Sequence, residues 1–243
     1  MEKFFKNINN CIIALSGGFD SAIVAYLAKN YLGENNVIAA TCVNNHIFHY
    51  QIINALEVAM KLNIKWMPFY TTSIDNAFYL NDKNRCYLCK KAIIKQLIDI
   101  KNDLGIQVII DGTKKQDMNE DRPGLAALKE YNVLSPMLDP NFDTKFIIHA
   151  KKFYSYAKID FITDSCKATR IMENPITEDK LDLVENIEDT LRNNYPQIRA
   201  RIYNEHINFE FKDNNDFSDK DKQDILFKIR YLINKRTVTF NSK

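Results

Sequence analysis

The residues best suited to chemistry lie near the start of the chain, in the segment CIIALSGGFDS at residues 11–21. A short apolar run meets two glycines, and apolar residues at helical spacing follow over residues 22–32. Such a strand, glycine turn and helix start point free backbone N–H groups at an anion. The serine hydroxyls add donors, and the aspartate can hold a divalent cation against phosphate groups. The sequence therefore predicts a phosphate site, with the candidate residues Ser16, Gly17, Gly18, Asp20 and Ser21.

Neither of two widespread phosphate-binding patterns describes this segment. The Walker pattern requires a Lys-Ser or Lys-Thr pair, which is absent from the segment. The dinucleotide fingerprint requires a third glycine, which is also missing. A structural turn with no ligand is the alternative, since many strand-to-helix turns contain glycines for conformational reasons.

A second candidate site is the CxxC pair, Cys86 and Cys89, at the start of a predicted helix. The helix dipole and the adjacent basic residues favour thiolates there. One CxxC can be redox-active, half of a zinc site or part of an iron–sulfur site. Coordination needs help from elsewhere, and Cys166 is the other cysteine that lies outside a predicted strand. Cys166 stands in a polar loop, residues 164–171, which is typical of an active-site loop.

The elements that must position these residues form a parallel sheet covered by helices. Apolar runs predict strands at residues 11–15, 36–42, 64–70 and 106–111, and a helix is predicted at residues 48–62. Strands that alternate with helices, with little alternation inside the strands, predict an α/β fold. Ligands of such sheets bind beyond the carboxyl ends of the strands. The residues at those ends that we expect beside a nucleotide are Cys42, Gly112 and Thr113.

The pattern changes near residue 175. The pattern predicts helices at residues 178–193 and 217–235. It predicts strands at residues 198–203, 207–212 and 237–240, and we expect the first two strands to pair antiparallel. We therefore predict two domains, an α/β domain at residues 1–175 and a small α+β domain at residues 176–243.

Bulk properties restrict the class of protein. The 243 residues carry a formal charge of +2, which gives no reason to expect nucleic acid as a partner. No apolar run is long enough for a membrane span, and the first residues lack a signal core, so we expect a cytoplasmic protein with no membrane partner. Five cysteines in such a protein predict thiols or metal ligands rather than disulfides.

The chain resembles the PP-loop ATP pyrophosphatases, and within them the LarE-type ATP-dependent sulfur transferases. Five blocks carry the resemblance in order: SGGFDS from Ser16, RCYLCK from Arg85, DGTKKQDMNEDRPGLAAL from Asp111, SCKATRI from Ser165, and a helix with Glu188 that leads to IRAR at Ile198–Arg201. The blocks containing RPGLAA and Cys-x-x-x-Arg-Ile are not general to the superfamily. Phe19 in the loop departs from the family pattern, and so does Asn208, which stands where an arginine is common in the last strand of the family.

The resemblance implies an enzyme that makes the nickel-pincer nucleotide cofactor of lactate racemase. With ATP and Mg²⁺, it would adenylylate a carboxylate of pyridinium-3,5-biscarboxylic acid mononucleotide and then insert sulfur. Cys166 would be the catalytic cysteine. Contacts to this small nucleotide substrate are implied for Arg170, Glu188, Arg199 and Arg201. The alternative for Arg199 and Arg201 is that they form a solvated basic edge of the strand and bind no ligand. Members of the family also assemble as homo-oligomers.

Two sulfur sources are compatible with the resemblance. In one, Cys86, Cys89 and Cys166 hold a 4Fe-4S cluster with one open iron, which we favour because the full cysteine set is present. In the other, Cys166 sacrifices its own sulfur. A structural zinc or plain thiols are further alternatives. The rival functions are an iron–sulfur-dependent tRNA thiolase, which would need a basic platform, and a non-catalytic module that binds ATP or a cluster.

Overall fold

The structure is a computed structural model, which describes residues 1–72, 74, 76–119, 124–162, 164–211 and 217–241, the last two residues of the 76–119 range by their backbone alone. Contacts divide the chain into two units. The first comprises Met1–Phe78 and Lys83–Asp164, and the second comprises Tyr79–Asp82 and Ser165–Lys243. The boundary that the sequence places at residue 175 stays a prediction.

The first unit is built on a parallel sheet. Its strands are β1 (Cys11–Ala14), β2 (Val37–Cys42), β3 (Lys65–Phe69) and β4 (Val108–Ile110). Its helices are α1 (Glu2–Phe5), α2 (Phe19–Leu32), α3 (His49–Leu62), α4 (Asn76–Tyr79, whose last residue belongs to the second unit), α5 (Arg85–Asp103), α6 (Gly124–Glu130) and α7 (Lys145–Tyr156). The strand order is β3-β2-β1-β4, and every pairing is parallel. The predicted α/β class is therefore confirmed.

The centre of the sheet explains why the first strand reads as continuously apolar. Cys11, Ile12 and Ile13 in β1 are fully buried, because β2 and β4 flank the strand and apolar side chains cover both faces. Pro68 lies in β3, which is an edge strand of the described sheet, where a missing backbone donor is tolerated. The carboxyl ends of β1, β2 and β4 consequently meet at one edge of the sheet.

The second unit contains a small mixed sheet with two helices. Its strands are β5 (Ile198–Ile202), β6 (His206–Phe211) and β7 (Thr237–Asn241), and its helices are α8 (Glu178–Arg192) and α9 (Asp219–Ile229). β5 and β6 are antiparallel, as predicted, and β7 runs parallel to β6. The apolar face of α8 is buried, with Leu181, Val184, Ile187 and Leu191 at helical spacing.

The last helix is shorter than its apolar pattern predicts. A capping box fixes its start, because Ser218 and Asp221 exchange side-chain and backbone hydrogen bonds. The helix ends at Ile229 rather than at residue 235, and Asn234 has a left-handed φ of 53°. Among the described residues, no helix combines the length and the apolar character that crossing a membrane requires.

Candidate functional site

The glycine turn after β1 is held by close backbone packing. Gly17 has φ +80°, and a Cβ atom there would stand 1.9 Å from the backbone oxygen of Gln51 in α3. Gly18, with φ −86°, is the N-cap of α2. The turn therefore requires glycine at position 17 for two reasons, its positive φ and the space taken by α3.

The two serines of the turn bind each other and the backbone. Their hydroxyl oxygens are 3.1 Å apart. Ser21 Oγ donates to the carbonyl of Gly18 at 2.9 Å, and the Gly18 N–H donates to Ser16 Oγ at 3.3 Å. These bonds give the turn a fixed shape at the N-terminus of a 14-residue helix, whose dipole favours an anion.

The end of β4 lies against this helix start, as the sequence predicts for Asp111 to Thr113. A Cβ atom on Gly112 would stand 2.6 Å from the Ser21 nitrogen and 2.8 Å from the Asp20 carbonyl carbon. Because those atoms are backbone, no side-chain movement could make room. Gly112 thus sits where any larger residue would separate β4 from residues 16–21, the predicted phosphate site, which we call the phosphate turn.

Asp111 fixes the loop that follows β4. Its carboxylate is buried and accepts hydrogen bonds from Ser135 Oγ at 2.5 Å, Thr113 N at 3.1 Å and Thr113 Oγ1 at 2.7 Å. Lys90 Nζ lies 3.6 Å from the same carboxylate. Thr113, a predicted nucleotide contact, therefore uses its hydroxyl to donate a hydrogen bond to Asp111.

The next residue of the loop, Lys114, was not singled out from the sequence. Its ammonium lies 2.7 Å from Oδ2 of Asp20, in the first turn of α2, and each side chain is 36% exposed. The Lys114 backbone N–H donates to Asp117 at 3.0 Å, which sets the direction of the loop. Lys114 and Asp20 lie 94 residues apart in the chain, so no sequence spacing predicts that they form a pair.

Cys42 lies at the end of β2, as predicted, and its thiol donates to Asn44 Oδ1 at 3.0 Å. Asn44 also bridges to Thr71, accepting from its N–H and donating to its carbonyl, each at 2.9 Å. The thiol thus helps to close the edge of the sheet. Cys11 is buried inside the sheet, and burial raises the pKa of its thiol to about 12.

Cys86 and Cys89 both lie in the first turns of α5, as the CxxC prediction requires. Cys86 is exposed and Cys89 is half-buried, and none of the five cysteines forms a disulfide. Cys89 Sγ lies 3.3 Å from Nε2 of His46, a buried histidine whose ring packs on Phe78. His46 follows the end of β2, 43 residues before Cys89, and the histidines show no metal-like spacing in the sequence from which this pair could be predicted.

In the second unit, Cys166 is half-buried and is the N-cap of a short 3-10 turn, Lys167–Arg170. Arg170 is fully buried and binds Glu188 with two nitrogens, at 2.8 and 3.3 Å. It also donates to Ser165 Oγ at 2.7 Å. Lys167, equally buried, lies 2.6 Å from Glu185. Two ion pairs therefore anchor the turn that carries the cysteine to α8.

Arg199 and Arg201 occupy the less buried face of β5, whose residues alternate between buried and half-buried. Arg201 lies 2.9 Å from Glu210 of β6, and its Nη1 donates to the carbonyl of Thr169 at 2.8 Å. In the register of β5 and β6, the residue opposite Glu210 is Arg199. The structure thus brings Arg201 to the turn behind Cys166, while Arg170 and Glu188 are committed to each other.

Cys86, Cys89 and Cys166 lie outside the strands and form no disulfide, and cysteine thiolates are the ligands that iron–sulfur clusters prefer, so the chemistry of these residues suits a cluster. Within the ranges that the structure describes, no group of three or more His, Cys, Asp or Glu side chains is arranged to hold a metal ion. Residues 120–123, which include Arg122 and Pro123 of the RPGLAA block, lie outside the described residues.

Comparison with known proteins agrees with this architecture. The profile of the NAD synthase family matches residues 4–99, which include the phosphate turn and the CxxC. An uncharacterized protein of Synechocystis is 30% identical over 204 residues, 83% of this chain and 76% of that protein. An uncharacterized protein of Methanocaldococcus jannaschii is 31% identical over 232 residues, 95% of this chain and 88% of that protein.

These matches and the parallel sheet define a PP-loop protein of an ATP-using enzyme class. A third relative is the pyridinium-3,5-bisthiocarboxylic acid mononucleotide synthase of Lactiplantibacillus plantarum, 26% identical over 208 residues, 82% of this chain and 74% of that enzyme. The chain therefore belongs to one family with the Synechocystis and Methanocaldococcus proteins, and the predicted resemblance to PP-loop proteins and to a LarE-type enzyme is confirmed.

Proposed function

We propose that the protein is an ATP-dependent sulfur transferase that acts on a carboxylate of pyridinium-3,5-biscarboxylic acid mononucleotide. The observation that carries the proposal is the phosphate turn at the N-terminus of α2, against which Gly112 packs the end of β4. The relative from Lactiplantibacillus, which is named for making the bisthiocarboxylic acid product, supports this substrate. The turn serves activation, and the cysteines serve sulfur delivery.

Activation makes the carboxylate a better electrophile. A carboxylate oxygen of the substrate attacks the α-phosphorus of ATP, the bond to the β-phosphate oxygen breaks, and pyrophosphate leaves. The phosphate turn, with its serine hydroxyls and the dipole of α2, would hold the departing negative charge. Asp20 would hold Mg²⁺, which neutralises phosphate charge when it is bound. Cys42, Gly112 and Thr113 would border the nucleotide at the carboxyl edge of the sheet.

Sulfur insertion then replaces AMP. A sulfide attacks the activated carbonyl carbon, the carbon–oxygen bond to AMP breaks, and a thiocarboxylate remains. We propose that Cys86, Cys89 and Cys166 hold a 4Fe-4S cluster, which when bound offers one iron without a protein ligand. The alternative is that Cys166 gives up its own sulfur and becomes dehydroalanine.

The second unit would bind the phosphate of the mononucleotide. Arg199 and Arg201 share one face of β5, where planar guanidinium groups suit bidentate contact with phosphate. Arg170 and Glu188 would act by holding the turn of Cys166, since each is buried against the other. By the same family likeness, we propose a homo-oligomer in the cytoplasm, which light scattering and cell fractionation test.

The experiment combines metal analysis with product analysis. The protein is purified without oxygen as wild type, Cys86→Ala and Cys11→Ala, the last removing a buried thiol of β1 as a matched control. We expect roughly four irons per chain in wild type and in Cys11→Ala, and a large loss in Cys86→Ala. An iron-free protein that still makes thiocarboxylate would contradict the cluster.

Product analysis tests the reaction itself. AMP and pyrophosphate should form in equal amounts only when the pyridinium carboxylate is present. Turnover of ATP that is independent of that substrate, or dependent on tRNA, would contradict the proposed reaction. Intact mass after turnover separates the sulfur sources, because sacrificial chemistry removes the mass of hydrogen sulfide from Cys166.

A further inference from the structure

The loop after β4 presents one lysine to the phosphate turn. Gly112 is wedged against the backbone of Asp20 and Ser21, and Asp111 is fixed by hydrogen bonds from Ser135 and Thr113. The loop cannot withdraw from the N-terminus of α2 without breaking these contacts. Lys114, two residues beyond the wedge, therefore stays within reach of whatever occupies the turn.

The partner of Lys114 is the carboxylate proposed to hold the magnesium ion. Lys114 Nζ lies 2.7 Å from Asp20 Oδ2, and both side chains are more than a third exposed. Ion pairs with that exposure contribute little to stability, because water screens them and long side chains lose entropy in forming them. The pair is therefore easily exchanged for other partners.

Binding of ATP with Mg²⁺ changes the charges around this pair. A divalent cation held by the Asp20 carboxylate would compete with Lys114 for Oδ2 and would repel its ammonium. The phosphates bring several negative charges to the same turn. Another lysine at this edge, Lys90, lies near Asp111, whose buried carboxylate is the anchor of the loop.

We infer that Lys114 is a phosphate-binding residue of the ATP site that rests on Asp20 until nucleotide and metal arrive. This inference rests on the proposed function, since it concerns the same site. In the free protein the Asp20–Lys114 pair keeps the carboxylate and the ammonium in place. With nucleotide bound, the ammonium exchanges its carboxylate partner for a phosphate oxygen.

The first test measures ATP binding by calorimetry, with Mg²⁺ and without any carboxylate substrate. We compare wild type with Lys114→Ala, Lys114→Arg and Lys115→Ala, the last being an exposed neighbour in the same loop. Loss of one charged hydrogen bond should weaken binding about 10- to 100-fold in Lys114→Ala. Lys114→Arg should retain most of the affinity, and Lys115→Ala should match wild type.

The second test separates phosphate binding from a structural role. In the presence of EDTA, Asp20→Asn frees Lys114 from its carboxylate, so metal-free ATP should bind more tightly than it does to wild type. The gain in affinity from Asp20→Asn should be smaller when it is measured in the Lys114→Ala background, as the double variant against Lys114→Ala alone. A gain that is equal with and without Lys114 would overturn the inference, because the lysine would then not reach the phosphates.

The outcomes distinguish the inference from the function on which it rests. If wild type binds ATP and Lys114→Ala binds it equally well or more tightly, the inference alone fails. If wild type binds no ATP, the proposed function fails and the inference falls with it. Circular dichroism and urea unfolding of Lys114→Ala should match wild type, as expected for loss of an exposed ion pair.

Discussion

Replacing Gly17 by alanine should disrupt the phosphate turn through two separable effects. The first is conformational, because alanine at φ +80° costs about 1–3 kcal/mol in a region that glycine alone occupies readily. The second is steric, because the new Cβ atom would stand 1.9 Å from the Gln51 carbonyl oxygen. That oxygen belongs to backbone, so α3 or the turn must move, at a further cost of about 1–3 kcal/mol.

Two other glycines of the same region provide matched controls. Gly33, the C-cap of α2, has φ +82° with no atom within 4 Å of an added Cβ, so Gly33→Ala isolates the conformational cost. Gly18 has a negative φ, and its nearest neighbour would be Ser16 Oγ at 3.5 Å, an ordinary contact. Gly18→Ala should therefore cost no more than about 1 kcal/mol, chiefly from the poorer N-cap.

The assay is urea unfolding followed by circular dichroism and by the fluorescence of the single tryptophan, Trp66. We expect Gly17→Ala to lose about twice the free energy of unfolding that Gly33→Ala loses. ATP affinity should fall in Gly17→Ala and be retained in Gly33→Ala, which lies at the opposite end of α2. Equal destabilisation by the two substitutions would refute the claim that α3 confines the turn.

Two further predictions concern buried ionisable groups. Burial raises the pKa of the Cys11 thiol to about 12, so the folded protein keeps this proton at pH values where the unfolded chain has lost it. The contribution of Cys11 to the free energy of unfolding is therefore fully present below about pH 8.5 and is lost as the pH rises towards 12. Between pH 8 and pH 10, the free energy of unfolding of wild type should fall by about 2 kcal/mol more than that of Cys11→Ala. Urea unfolding at pH 8 and pH 10 measures this, and parallel losses would contradict it. Arg170→Met should cost about 3–5 kcal/mol because it leaves the Glu188 carboxylate buried without its cation, whereas adding Glu188→Leu should recover part of the loss. A double variant no more stable than Arg170→Met would contradict this reasoning.

The sequence predicts what depends on local pattern. The apolar runs locate β1, β2 and β4, because strands buried on both faces need no alternation. The glycine turn is likewise local, and the structure has the residues of the predicted phosphate site at the carboxyl edge of the sheet. The direction of β7 was not predicted, since a short run of strand residues does not state which neighbour it pairs with.

Pairs formed by distant residues could not be read from the sequence. His46 contacts Cys89 across 43 residues, and Lys114 contacts Asp20 across 94 residues. Both pairs depend on the carboxyl ends of different strands meeting at one edge, which fixes the region but not the individual side chains. No spacing in the sequence distinguishes His46 from the other histidines, although His46 contacts Cys89, a candidate cluster ligand.

The turn that carries Cys166 is held by residues of α8 and β5 that are distant from the cysteine in the sequence. A 3-10 turn of four residues has little stability of its own, so its shape must be imposed from outside. Glu188 of α8 binds Arg170 at the end of the turn, and the same carboxylate oxygen accepts the Ala200 N–H of β5 at 3.0 Å. Arg201 adds a hydrogen bond to a carbonyl of the turn. The position of the thiol is thus set by α8 and β5, and a substitution at Arg201 would alter both the proposed phosphate contact and the placement of Cys166.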